Sequence, residues 1–163
     1  DASDVAARAG DQQIMLGEQG VYRPSENPYV GKTQYGWVVD PVGFRYTLRK
    51  VYERYQLPIL ITENGIGTND TLESDGCIHD QYRIDFIQKH LHQMRLAITD
   101  GVEMLGYCPW AAIDVVSTHQ GYKKRYGFIY VDRDEFDLKE LNRYKKDSFY
   151  WYKKTIEENG KNI

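Results

Sequence analysis

Two short apolar runs flank one amphipathic stretch, and this arrangement limits the possible folds more than any other feature. Leu57–Thr62 and Val102–Trp110 each read as a strand. Between them, over about Asp80 to Thr99, Ile84, Ile87, Leu91, Met94 and Ile98 recur at helical spacing, and Asp100-Gly101 ends the pattern. Near-continuous apolar runs predict strands buried on both faces of a parallel sheet. A strand–helix–strand order predicts a parallel pair joined by a right-handed crossover. Two strands are too few for such a sheet, which needs neighbours and cover on both sides. The expected fold class is therefore α/β, as part of a larger parallel architecture.

The flanks add to this. Asp40-Pro41 predicts a helix start, with Asp as N-cap and Pro in the first turn; Phe44, Leu48, Val51, Tyr52 and Tyr55 follow at helical spacing. Residues 1–39 are rich in Gly, Gln and Asp, are broken by Pro24 and Pro28, and read as one long loop. A loop that long is unusual within a compact domain. Residues 64–79 and 111–124 also read as loops, Arg125–Val131 as an extended segment, and Lys145–Glu158 as a last helix closed by Asn159-Gly160.

The net charge of −3 over 163 residues supplies no global basic field, so nucleic acid is not an expected partner. No apolar stretch approaches the roughly 20 residues that a bilayer helix needs, so a membrane is not expected either. Cys77 and Cys108 lie 31 residues apart and fit no metal spacing; they read as reduced thiols of a cytoplasmic protein. His79, His90, His92 and His119 likewise suggest no metal, and no cofactor is expected. Fourteen tyrosines suit a surface that touches polar ligands as well as a packed interior.

Two places carry chemistry. In Ile61-Thr62-Glu63-Asn64-Gly65 a carboxylate stands where an apolar strand meets a polar loop. Ligands of parallel α/β folds bind at the C-terminal ends of strands, and Trp110 ends the second strand in the same way. Glu63 beside Trp110 would set a carboxylate against an aromatic platform suited to a sugar ring. Read alone, Glu63 also fits a surface strand end, and Trp110 also fits a core. The second place is Ser117, Lys124 and Tyr126, a hydroxyl, an ammonium and a phenol able to converge on a dianionic phosphate. Read alone, the trio also fits a solvated basic loop. Asp114 reads as a loop-stabilising carboxylate, and His119 as an ordinary loop residue, with contact to a substrate the lesser alternative.

The ITENG stretch resembles the nucleophile motif of the family 1 glycoside hydrolases, the β-glucosidase group. Three further stretches are similar to that family in order and spacing. They are Gly36-Trp37 to Asp40-Pro41; Asp80, Tyr82-Arg83-Ile84 and His90-Leu91; and Gly106-Tyr107, Pro109-Trp110, Arg125-Tyr126-Gly127 and Tyr130-Val131-Asp132. The resemblance runs from about Gly36 to the C-terminus.

The resemblance implies a (β/α)₈ barrel, with Leu57–Glu63 on its seventh strand and Val102–Trp110 on its eighth. Residues 40–163 would then be the last βα units of one barrel domain. A whole barrel of this kind takes at least roughly 200 residues. Ordinary β-glucosidases carry Glu-Trp in the loop after strand eight, where this chain has Ser117-Thr118. Ser, then Lys seven on and Tyr nine on, is the pattern of the 6-phospho-β-glycosidase branch. Galactosidase members of that branch have Trp after the Ser, so Thr118 leans toward a 6-phospho-β-glucosidase.

The implied substrate is a phosphorylated β-glucoside or disaccharide, and the implied nucleophile is Glu63, ionised by polar or cationic neighbours. Trp110, Ser117, Lys124 and Tyr126 become substrate-binding. The family's acid/base Glu belongs to an Asn-Glu-Pro motif. Glu26-Asn27-Pro28 has a different order, so Glu26 is not given that role, and the chain alone is expected to be inactive. The resemblance also implies a cis peptide at Trp110–Ala111, which an incomplete barrel would be free to relax to trans. Unpaired barrel strands would invite self-association.

Overall fold

The computed structural model describes Val21 and residues 27–163. Most of the long loop expected over 1–39, including Glu26, lies outside these residues. Its described end is not all loop: Gly31–Lys32 (β1) and Val38–Val39 (β2) pair antiparallel as a small hairpin. The turn between them needs Gly36, at φ +80°, and is closed by the Thr33 hydroxyl, which accepts from the Trp37 N–H at 3.0 Å.

The central elements follow the sequence reading. Pro41–Tyr55 (α1) starts at Asp40, whose carboxylate accepts from the Gly43 N–H at 2.8 Å. Ile59–Gly65 (β3), Gln81–Thr99 (α2) and Met104–Trp110 (β4) follow, and β3 and β4 are parallel. Ile129–Val131 (β5) pairs antiparallel with Arg143–Lys145 (β6), ahead of the last helix, Asp147–Glu157 (α3). Among the described residues this is a mixed α/β arrangement of three open two-stranded sheets, with no closed barrel.

Burial on both faces of the strands is not what the structure holds. Leu48 of α1, Ala97 of α2 and Val102 pack against Ile59, Ile61 and Met104, so helices cover one face of the β3–β4 pair. On the other face Leu60 is 48% exposed and Leu105 71% exposed. The apolar runs carry side chains for two covers, and the described residues provide one. A second core gathers Ile66, Phe86, Ile87, Leu91 and Phe128, with Tyr152 stacked on Phe128 at 5.0 Å; it fixes α2 and α3 behind the strand ends. The Trp110–Ala111 peptide is cis, not relaxed to trans. No helix among the described residues is long and apolar enough to cross a membrane.

Candidate active site

Glu63 stands in a bulge. Ile61 pairs with Tyr107 and Asn64 with Pro109, so β3 uses three residues where β4 uses two. An opposite shift lies at the start of the pair, where Ile59 meets Met104 and Leu60 meets Gly106. The two shifts cancel, and Gly65 meets Trp110 as Ile59 meets Met104. The bulge breaks the pleat's alternation: Thr62 and Glu63 are both exposed. The strand runs through Glu63 to Gly65, three residues beyond the end expected from the apolar run.

Neighbouring residues fix this geometry. The Tyr107 hydroxyl donates to Asn64 Oδ1 at 2.6 Å, tying the bulge to β4. Burial pushes the Tyr107 phenol above its ordinary value, so it remains a donor. A Cβ at position 65 would overlap the Trp110 carbonyl oxygen, so only glycine lets the two strand ends meet. The Glu63 carboxylate itself has no partner among the described residues.

Glu63, Trp110, Ser117 and Tyr126 line one cleft of about 490 Å³, together with Trp37, Asp40 and His90. Trp110 is 41% exposed and edge-on to Tyr126 at 6.3 Å, so it is an open aromatic wall, not a core residue. The Tyr126 hydroxyl donates to Ser117 Oγ at 3.2 Å. Ser117 closes a tight turn with Gly121, each N–H reaching the other's carbonyl at 3.0 Å. Gly121 has φ +61°, and its missing Cβ leaves room for the Glu135 carboxylate, which accepts from the Tyr122 N–H at 2.5 Å.

Lys124 lies behind this wall. It is 1% exposed, and burial pushes its ammonium below the ordinary lysine value. Its Nζ sits 4.4 Å from the ring centroid of Trp37, 4.7 Å from that of Tyr35 and 5.4 Å from that of Tyr126. Gly67 makes space for the stem, since a Cβ there would overlap Lys124 Cε and come within 2.7 Å of Tyr126 Cε1. The structure thus gathers the whole predicted trio, with Lys124 more enclosed than a solvated loop would allow. His119 is exposed and does not line the cleft.

The segment 124–126 alternates faces. Lys124 and Tyr126 share one side, while Arg125 turns to the other, held by reciprocal backbone bonds between Arg125 and Thr68 at 2.8 and 3.0 Å. Arg125 Nη1 donates to Asp114 at 3.2 Å and to the Val131 carbonyl at 2.8 Å. Lys146 donates to Asp114 at 2.7 Å and also pairs with Asp70. Arg83 donates to Asp70 at 3.0 Å and to Asp80 at 2.7 Å. Three buried carboxylates therefore meet three buried cations.

Burial raises the Asp70 carboxyl, but Arg83 and Lys146 outweigh it and hold the group below its ordinary value. Burial and Arg83 draw Lys146 down, against the pull of both carboxylates. Asp114 is the loop-stabilising carboxylate that the sequence suggested. The sequence reading gave no role to Asp70 or Lys146, 76 residues apart, nor to the Tyr35 and Trp37 rings. A carboxylate-rich loop facing a lysine just before the last helix was the available signal.

Comparison with known proteins identifies the family. Residues 3–161 match the profile of glycosyl hydrolase family 1. Aryl-phospho-beta-D-glucosidase BglC of Bacillus subtilis is 48% identical over 147 residues, 90% of this chain and 31% of that protein. A 6-phospho-beta-glucosidase of Dickeya chrysanthemi is 49% identical over 138 residues, 84% of this chain and 30% of that protein. The solved family 1 β-glucosidase from Thermotoga maritima superposes with a TM-score of 0.76 at 38% identity, covering 83% of this chain and 30% of that one. The chain spans about 30% of the length of these relatives. It belongs to glycosyl hydrolase family 1, and its relatives there include aryl-phospho- and 6-phospho-β-glucosidases.

Proposed function

We propose that this chain supplies the C-terminal βα units of a retaining 6-phospho-β-glucosidase, with β3 and β4 as the seventh and eighth strands of its barrel. One observation carries the reading: a bulge-borne carboxylate shares its cleft with an open tryptophan and a Ser–Tyr pair, and a lysine is enclosed directly behind that pair.

In this mechanism Glu63 attacks the anomeric carbon as the bond to the leaving oxygen breaks, and a second carboxylic acid gives that oxygen its proton. Water then cleaves the glycosyl ester, activated by the same second group. The two carboxyl groups of a retaining enzyme stand about 5–5.5 Å apart. Among the described residues the cleft's other carboxylate is Asp40, already engaged as a helix cap. The sequence holds no Asn-Glu-Pro motif, so the acid/base group is assigned to a part of the enzyme beyond this chain, and the chain alone is proposed to be inactive. Without a general acid the rate falls by about 10²–10⁴. Trp110 faces the sugar, and Ser117, Lys124 and Tyr126 take its 6-phosphate. The two exposed free cysteines suit a reducing compartment, and so a cytoplasmic one.

The missing second carboxylate also favours another reading, a phosphosugar-binding chain without catalysis. The test mixes this chain with a separately expressed N-terminal half and follows nitrophenol release from p-nitrophenyl β-glucoside 6-phosphate and from its unphosphorylated twin. Turnover of the phosphorylated substrate alone is expected. Equal turnover of the plain glucoside refutes the phosphate assignment. Binding of glucose 6-phosphate with no turnover leaves the binding reading in place.

A further inference from the structure

The β1–β2 hairpin reaches the site through ring faces. Its tip is tied to the loop after β3: the Asn69 N–H donates to Gln34 Oε1 at 2.9 Å, and the Tyr35 hydroxyl donates to Asn69 Oδ1. Asn69 adjoins Thr68, which is locked to Arg125. The hairpin and the 124–126 segment therefore hang on one short loop, and their relative position is fixed from both sides. In that position the Tyr35 and Trp37 rings lie against the Lys124 ammonium, each well within the roughly 6 Å over which a cation is drawn to an aromatic face. Tyr35 is itself buried, whereas Trp37 has one side open to the cleft.

We propose that Tyr35 and Trp37 are positioning residues for anion recognition, a cage that holds the Lys124 ammonium stripped of water beside the Ser117–Tyr126 hydroxyl pair. The idea rests on the phosphate reading above and adds to it a reason for selectivity. A lysine free in water keeps a strong hydration shell and many rotamers, which an arriving phosphate must remove. Here folding has removed both. The aromatic faces offset part of the desolvation cost. A dianion in the cleft therefore meets an ammonium whose water and rotamers folding has already removed.

The test uses this chain and two readouts. In wild type, ring currents should move the Lys124 ε-methylene proton resonances upfield, a measurement that requires no variant. Titration calorimetry with glucose 6-phosphate and with glucose supplies the second readout. Trp37→Leu should weaken glucose 6-phosphate binding about tenfold and return the Lys124 resonances toward ordinary positions. Trp37→Phe, which keeps a ring face, should recover most of both. On a Lys124→Met background, Trp37→Leu should cause no further loss for glucose 6-phosphate relative to glucose. Unshifted Lys124 resonances in wild type overturn the cage, as does a Trp37→Leu loss that persists undiminished without the lysine. A wild-type chain that shows the shift but binds glucose as well as glucose 6-phosphate removes the phosphate reading and this role with it. Preference without the shift removes the cage alone.

Discussion

Behind the 124–126 segment, six buried charged side chains pair with one another inside the chain; at the mouth of β3, the Glu63 carboxylate meets no partner among the described residues. The difference follows from burial. A charge deep in the fold must be paired, because removing it from water costs several kcal/mol. A carboxylate at an exposed bulge carries no such requirement, so its surroundings need not come from the same stretch of chain. The geometry of the Ser117–Lys124–Tyr126 wall is thus set by this polypeptide. The surroundings of the Glu63 carboxylate are not.

The strongest test of that contrast is Lys146→Met. It leaves Asp70 and Asp114 facing each other without their shared cation, and should cost about 3–5 kcal/mol in urea unfolding at an unchanged m-value. A loss below about 1 kcal/mol would show that the network is not needed to hold the segment. Acid should expose the same dependence. Asp70 is held below its unfolded value of about 3.9, so its stabilisation is complete above that pH and is lost as pH falls through the lower folded value. Unfolding free energy measured from about pH 5 to pH 2 should drop more steeply in wild type than in Asp70→Asn.

Gly67→Ala lies between the two regions. Its methyl would crowd the Lys124 stem and the Tyr126 ring, at a cost of about 1–3 kcal/mol, with weaker glucose 6-phosphate binding. Glu63→Gln should change stability by less than about 0.5 kcal/mol while abolishing turnover in the completed enzyme. A large stability change would mean that the bulge depends on its carboxylate. The smallest effects belong to the histidines. His79, bonded to Asp147 and Asp75, should titrate above the ordinary value of about 6.5, and buried His90 below it. The contribution of His79 is present below its unfolded pKa and lost as pH rises through the folded one. That of His90 is present above its unfolded pKa and lost as pH falls. Imidazole resonances followed from pH 5 to 9 separate them.

Elements were legible where local chemistry decides. Asp40-Pro41 announced α1 through its cap, and the helical stripe of α2 was visible in Ile84, Ile87 and Leu91, though its last member, Ile98, is 49% exposed. Glu63 and Trp110 were placed together at strand ends; that Ser117 and Tyr126 share their cleft was implied only by the family resemblance. Legibility failed where partners are distant. Nothing local to Lys146 says that Asp70 will meet it, since a buried pair is a property of the packed fold. The hairpin was hidden for another reason: two residues per strand give no period to read. The bulge at Thr62–Glu63 was invisible because an apolar run ending in polar residues looks the same whether or not the partner strand keeps step.

The compensating shifts within the β3–β4 pair have one more consequence. Because the second undoes the first, Gly65 and Trp110 are registered by the ends of the pair, while Glu63 is aimed by its middle. In the proposed mechanism the nucleophile's direction and the platform's position are therefore separate degrees of freedom. Substitutions around Ile61–Asn64 can swing the carboxylate without moving the tryptophan. A protein engineer or a diverging lineage could retune where attack occurs on a ring without rebuilding the surface on which the ring rests.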